Sequence, residues 1–322
     1  MPNEYPKVSI IVLNYNGRKY LDGCFQSLSE LDYPNYEVVM IDNRSTDDSV
    51  EYVKRNYEWV SVIQTGRNGG FAFGNNIGIK ETEGEYVFLL NNDTISTKTF
   101  LRRIVEVAES HPDIGVVSPI PLHMADENCV DLILDKVRRG EWENTANLST
   151  VAGATMLIKR RVLDDIGLLD ETMFLYWEDT EFCWRANLLG YKVVEVYDAI
   201  VYHLWMSTGL KNRGDAMFEF LKNKIYVHIK LLSAFYLALY IPYEMLRSLV
   251  RIFFYGFRMY PPITKAWKWN ISNLSETIEK RREMRRCKKI SDWKLLKLMI
   301  KHDLILRRGR RLSKRCKADV KS

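Results

Sequence analysis

Apolar runs too short for helices recur along the first two hundred residues, and each breaks at polar residues. Residues 8–13, 37–41, 60–63 and 86–90 read as strands buried on both faces. Helical periodicity fills the gaps between them. Tyr20, Leu21, Cys24, Phe25 and Leu28 share one face; 46–57 follows a Ser45 or Thr46 cap; 71–81 follows the turn Arg67-Asn68-Gly69-Gly70; 97–110 stops before Pro112. This alternation implies right-handed βαβ units and a mainly parallel, Rossmann-like sheet flanked by helices, an α/β fold. Residues 119–150 are less regular and are expected as loops and short strands. A strand over 151–158, with small residues at its start, and a helix over about 180–189, closed by Gly190, come next. Runs at 192–196 and 199–202 read as further strands, the second ending at His203.

Three strand ends are polar: Asn14-Tyr15-Asn16, Asp42-Asn43 and Asn91-Asn92-Asp93. Ligands of open α/β sheets sit beyond the carboxyl ends of the strands. One such end is an ordinary polar turn, but three at one edge point to a nucleotide site. Asp93 is a hard oxygen donor with Asn91 on the same side of the chain, suited to Mg²⁺ or Mn²⁺ held jointly with a substrate phosphate. Neither a P-loop nor a dinucleotide-binding glycine pattern is present, so a metal at Asp93 would have to neutralise the phosphates. Tyr15 can stack on a base, and Asp42 can accept from a uracil or thymine ring N–H. Glu178-Asp179 opens a helix beside Tyr176 and Trp177. It is either an acidic helix start or a general base with aromatics shaping an acceptor pocket. His203 is either a satisfied core residue or a metal ligand. Glu181 and Arg185 are spaced to pair on their helix.

With 322 residues, 47% hydrophobic and 27% charged, the chain is globular and long enough for one large domain or two. Residues 1–6 carry no apolar run, and the five cysteines are far apart with no CxxC pair. The expectation is a reducing cytosolic compartment. Charge is uneven: residues 276–322 carry a net +12 and the rest a net −6. Such a tail attracts lipid headgroups or nucleic acid. It lacks RNA-binding aromatic motifs, so nucleic acid is the weaker partner, and Trp293, Leu295, Leu296, Leu298, Met299 and Ile300 give it an apolar face. Residues 214–275 form a third compositional region. The uncharged stretch 231–243 falls short of the roughly 20 residues a spanning helix needs, and Pro242 lies inside it. Flanking Lys222, Lys224, Lys230, Arg247, Arg251 and Arg258 fit helices in a membrane interface; the alternative is a helical subdomain packed on the sheet or on a second subunit. The expected organisation is 1–213, 214–275 and 276–322.

Six ordered pieces carry a family resemblance: 8–17, 42–47, 68–76, 89–93, 174–185 and Tyr202-His203. Together they resemble the inverting family 2 glycosyltransferases, and among them rhamnosyltransferase-like members. The resemblance implies a GT-A fold and transfer of a sugar from a nucleotide donor, a UDP- or dTDP-sugar, to a glycan or lipid-linked glycan. It implies that Asn14, Tyr15, Asn16, Asp42, Asn68, Asn76 and Asn92 line the nucleotide. Asp93 and His203 would hold the metal. Asp179 would be the catalytic base with Glu178 its neighbour, and Trp177 and Arg185 would belong to the acceptor or donor pocket. Asn91 departs from the family pattern, standing where the first acidic residue of its metal motif belongs. A cytoplasmic enzyme, peripheral on the inner face of the cell membrane, is the matching location. The contrasting reading is a non-catalytic nucleotide-sugar- or membrane-binding protein of the same fold.

Overall fold

The computed structural model describes residues 5–123, 128–140, 143–205 and 212–319. Its first part alternates β1 (Val8–Asn14), α1 (Arg18–Ser29), β2 (Tyr36–Asp42), α2 (Ser49–Asn56), β3 (Val60–Gln64), α3 (Gly70–Lys80), β4 (Tyr86–Asn91) and α4 (Phe100–Glu109). Strands β3, β2, β1 and β4 lie side by side and parallel. Successive side chains enter opposite cores, which is why these strands are apolar throughout. Ile10, Val12, Phe88 and Leu90 pack with Phe25 of α1 and Ile104 of α4. Ile11, Val39 and Leu89 pack on the other face with Ile79 of α3.

Beyond β4 the sheet becomes mixed. β6 (Ile114–Leu122) and β9 (Lys192–His203) are parallel to each other, while β8 (Thr155–Lys159) lies between β4 and β6, antiparallel to both. Two short strands, β5 (Thr94–Ser96) and β7 (Thr145–Asn147), pair antiparallel with β9. The two runs at 192–196 and 199–202 are thus one strand; its register against β6 shifts between Pro119 and Ile120, which interrupts the apolar pattern. Within the stretch read as loops, α5 (Asn128–Arg138) is a helix. Ser45 and Thr46 do not cap α2, which starts later; both bond Asn16 instead.

After α6 (Arg160–Ile166) and α7 (Glu178–Leu188), five helices end the chain: α8 (Arg213–Leu231), α9 (Ala234–Tyr255), α10 (Tyr260–Ser272), α11 (Leu274–Cys287) and α12 (Asp292–Asp319). They pack on α7 through Tyr226, Val227 and Leu231 of α8 and the fully buried Leu295 of α12, which meet Trp184 and Leu188. The uncharged run 231–243 crosses a helix junction, where Ser233 Oγ accepts from the Tyr236 amide at 3.2 Å. α9 continues through Pro242. Among the described residues, no helix is long and apolar enough to cross a membrane. The 275/276 charge boundary falls inside α11.

Two sequence expectations change here. Lys222, Lys224 and Lys230 are buried and paired with Glu219, Glu244, and Asp170 plus Glu181. They cannot face lipid headgroups. The apolar face of the basic tail is divided: Leu295 enters the core, whereas Trp293 and Ile300 point to solvent.

Candidate active site

Sheet register assembles the strand ends. Asn14 stands opposite Asp42, and Leu13 opposite Asn91, so Asn92 follows directly beside Asn14. The buried Asn14 amide joins all three ends: Nδ2 donates to Asp42 Oδ1 at 3.1 Å, and Oδ1 accepts from Asn92 Nδ2 at 2.6 Å. Gly17 caps this junction closely, and a Cβ there would overlap Asn92 Nδ2 and Asn14 Oδ1. Asn16, at φ 51°, accepts through Oδ1 from the Thr46 amide at 2.7 Å and so folds the 44–47 loop over the same edge. Asp42 is buried and also accepts from the Ser45 amide at 3.0 Å. Tyr15 is half-buried between Asn14 and Asn16. Asn68 is linked to this group through Asn43, whose Nδ2 donates to Asn68 Oδ1 at 3.2 Å and to the Gly70 carbonyl at 2.9 Å.

Asp93 and His203 meet because β5 pairs with the end of β9, setting Thr94 against His203. Nε2 of His203 lies 3.1 Å from Asp93 Oδ1 and 3.4 Å from Asn91 Nδ2. Both side chains are almost wholly buried, and His203 Nδ1 has no hydrogen-bond partner among the described residues. The Trp205 ring covers the imidazole with centroids 4.3 Å apart. A carboxylate oxygen and an imidazole nitrogen, joined by the Asn91 amide if it turns its oxygen in place of Nδ2, are a donor set that fits Mn²⁺ or Mg²⁺. Among the described residues no group of three His, Cys, Asp or Glu side chains gathers. A cation here would therefore complete its coordination with oxygens of a ligand.

Glu178 and Asp179 open α7 after an unusual turn. Tyr176 and Trp177 have φ 72° and 75°, both left-handed and neither glycine. Such backbone persists only where the surroundings impose it. Here α8 imposes it: Asn223, fully buried, donates from Nδ2 to the carbonyls of Leu175 and Tyr176 at 3.0 and 2.8 Å. The Trp177 ring packs edge-on against Trp184 and Phe220 and tilted against His228.

The two carboxyl groups differ. Burial, then the neighbouring Asp179 charge, pushes Glu178 up to about 8, and its Oε2 is buried without a partner among the described residues. Burial also raises Asp179, although Oδ2 accepts from the Gly153 amide at 3.0 Å and Oδ1 from the Thr180 amide at 2.6 Å. Burial thus holds both carboxyls above their ordinary range, and Glu178 is raised further by the Asp179 charge. The loop holding Asp179 also holds the strand end at Asn91. Gly153 donates to Asp179, and the next residue, Ala154, accepts from the Asn91 amide at 3.0 Å. One peptide unit separates the two attachments, about 3.8 Å between Cα atoms.

Two residues expected in the pocket lie elsewhere. Arg185 is buried, with Nε on both Glu181 oxygens at 2.8 and 2.9 Å and its other nitrogens on the carbonyls of Ile166 and Leu168. Its guanidinium pins the loop before α7 and has no face left for a substrate. Asn76 is committed to the same region, donating to the Leu169 carbonyl and to Glu171 at 2.9 Å each. Neither reaches the strand-end cluster through these contacts. Conversely, the geometry gives roles to Asn43, Gly153 and Asn223. Asn43 follows Asp42 and Gly153 lies in a small-residue stretch, but nothing local marks Asn223.

The model of "Glycosyl transferase family 2" matches residues 9–167. A low-salt glycan biosynthesis hexosyltransferase of Haloferax volcanii is 27% identical over 210 residues, 60% of this chain and 66% of that protein. A poly-beta-1,6-N-acetyl-D-glucosamine synthase of Staphylococcus epidermidis is 25% identical over 58% of this chain and 47% of its own length. The chain thus spans between about half and two thirds of these relatives. Among solved structures, a mannosyltransferase of Pyrobaculum calidifontis in complex with GDP-Man and Mn²⁺ superposes with TM-score 0.55 at 17% identity, covering 98% of this chain and 86% of that one. Residues 1–349 of S. aureus TarS in complex with UDP give TM-score 0.52 at 23% identity, covering 69% of this chain and 65% of that one. These likenesses concern the fold, and the first extends it over the C-terminal helices. From its matched motifs and its sheet, the chain belongs to glycosyltransferase family 2 and has the GT-A fold.

Proposed function

We propose that the protein transfers a sugar from a nucleoside diphosphate donor to a hydroxyl group of a glycan or lipid-linked glycan, with inversion at the anomeric carbon. The observation carrying this reading is the two-residue bridge Gly153-Ala154, which sets Asp179 beside the strand end bearing Asn91 and Asp93. A base and a diphosphate-binding edge are therefore neighbours. The hexosyltransferase and polymer-synthase relatives favour a hexose-type donor, and the fold neighbours hold UDP in one case and GDP-Man in the other, which supports a nucleoside diphosphate as its carrier.

Asn14, Asp42 and Asn92 close the strand ends beneath the nucleoside, with Tyr15 and Asn16 at its rim. Asp179 accepts the proton of the acceptor hydroxyl as that oxygen bonds to the anomeric carbon and the bond to the diphosphate breaks. A carboxyl whose affinity for protons is raised by burial is better matched to this role near neutral pH. A single displacement needs one base and no glycosyl-enzyme intermediate, so no second carboxylate nucleophile is required. The left-handed turn at 176–177 fixes where Asp179 stands, and Trp177 walls the acceptor side. Asp93 and His203 would hold Mg²⁺ or Mn²⁺, which supplies Lewis-acid neutralisation of the departing diphosphate.

The test is Asp179→Asn with UDP- and dTDP-hexoses. Transfer is abolished while calorimetric binding of the nucleotide with Mn²⁺ is retained. Near-normal turnover in that variant removes Asp179 as base; nucleotide binding without turnover in the wild type favours a non-catalytic sugar-nucleotide binder.

A further inference from the structure

α9 is amphipathic in the opposite sense to a helix on a water-facing surface. In water the apolar stripe of such a helix turns inward and its polar face outward. Here the inward stripe is Tyr240, Glu244 and Ser248, all buried. Glu244 bonds Lys224 of α8 at 2.5 Å and Arg251 at 2.7 Å; Ser248 Oγ accepts from Trp267 Nε1 of α10 at 3.2 Å; Tyr240 stacks on His228 at 4.0 Å. The outward stripe is Phe235, Leu239, Leu246, Leu249, Phe253 and, just past the helix, Phe257. The last two are 82% and 86% exposed. The row runs the whole helix, about 33 Å at 1.5 Å per residue. Phe253, Phe254 and Phe257 alone present roughly 400 Å² of apolar surface, comparable to the largest patch of an ordinary monomer.

Charge selects what covers this face. From 234 to 268 the only acidic residue is Glu244, which is buried and neutralised. Arg247 and Arg258 are exposed beside the apolar row, and Lys265 and Lys268 are exposed on the adjoining α10. A two-fold contact between copies would set this basic rim against itself. An anionic lipid surface offers both an apolar interior and complementary charge.

We propose that α9 docks the protein on an anionic bilayer, lying in the plane of the interface with Phe235 to Phe257 among the acyl chains and Arg247, Arg258, Lys265 and Lys268 at the headgroups. The docking element is then α9, and the basic helix α12 is secondary. The proposal stands whether or not the chain transfers sugars, because its test needs no substrate.

The experiment is flotation of the full chain with vesicles of phosphatidylethanolamine and phosphatidylglycerol, compared with phosphatidylcholine alone. Wild type floats with the anionic vesicles. Leu249→Ser/Phe253→Ser reduces partitioning roughly tenfold or more, since two apolar side chains no longer leave water. Arg247→Gln/Arg258→Gln lowers binding to anionic vesicles towards the neutral level, while Lys294→Gln/Lys297→Gln/Lys301→Gln on α12 leaves it unchanged. All substituted side chains but Lys297, Lys301 and Lys294 lie on this face, and circular dichroism checks the fold of every variant. Wild type that stays with the solution overturns the proposal, as does a serine variant that floats like wild type. Light scattering without lipid that shows a dimer, converted to monomer by the serine substitutions, overturns it in favour of a second copy of the chain.

Discussion

The side-chain amide of Asn223 donates to the carbonyl oxygen of Tyr176 at 2.8 Å, so a helix outside the nucleotide-binding sheet holds the turn that presents Glu178 and Asp179. Removing the amide leaves two carbonyls unpaired and frees two left-handed residues to relax. Asn223→Ala is expected to lower the transfer rate about 100-fold, the scale set by an ångström of misplacement. Nucleotide affinity should be unchanged, because the strand-end cluster does not touch this turn. Steady-state turnover alongside calorimetry checks the split.

Asp93 and His203 should be separable from the base. Asp93→Ala is expected to remove the Mn²⁺ dependence of nucleotide binding, and His203→Ala to weaken it. Calorimetry of UDP, dTDP and GDP with and without Mn²⁺ measures both and identifies the base of the donor. Equal metal-dependent affinity in wild type and Asp93→Ala would exclude this carboxylate as a ligand.

The strand-end junction predicts a steric effect. A Cβ at Gly17 overlaps Asn92 Nδ2 and Asn14 Oδ1. Gly17→Ala should therefore weaken nucleotide binding without changing α7, where Asp179 stands. Binding isotherms and near-UV circular dichroism of the Trp177 and Trp184 region report the two effects separately.

How much of this was readable in advance depended on how local each cause is. The strands β1, β2 and β4 were legible because burial on both faces demands unbroken apolar runs, and their polar ends marked the site edge. Strand direction was not, since β8 is as apolar running antiparallel as it would be parallel. Strands β5 and β7 are three residues each, too short for periodicity. Asp93 and His203 could be named from motif resemblance, but their meeting depends on β5. Arg185 pairs with Glu181 as their spacing implies, but its remaining nitrogens, like the Asn76 amide, turn to backbone carbonyls, a direction no spacing reveals. Asn223 lies 47 residues from the carbonyl it holds.

Arg185 predicts stability rather than binding. Arg185→Ala leaves Glu181 buried with Lys230 as its remaining partner and frees the carbonyls of Ile166 and Leu168. Breaking a buried pair in this way costs about 3–5 kcal/mol, measurable by urea denaturation. Folded variant should keep its nucleotide affinity.

The Glu178 carboxyl sets a pH dependence. Its proton affinity in the folded state, raised to about 8, exceeds its ordinary value near 4.5. The folded protein therefore binds more protons than the unfolded chain between these values. Its contribution to stability is fully present below about pH 4.5 and is lost as pH rises through 8. Glu178→Gln should raise the melting temperature more at pH 8.5 than at pH 5. A difference that does not grow with pH would contradict burial as the origin of the shift.

The ties between α7 and the C-terminal helices bear on how such a chain can be recombined. Lys230 reaches Glu181 at 2.7 Å, Asn223 grips 175–176, and the Lys289 amide bonds the Leu188 carbonyl at 2.8 Å. A chimera cut between β9 and α8 would part the left-handed turn before α7 from its support, even though composition suggests a seam there. Exchangeable modules in this protein therefore have their boundary upstream of residue 166, whose carbonyl Arg185 holds, and α7 travels with α8.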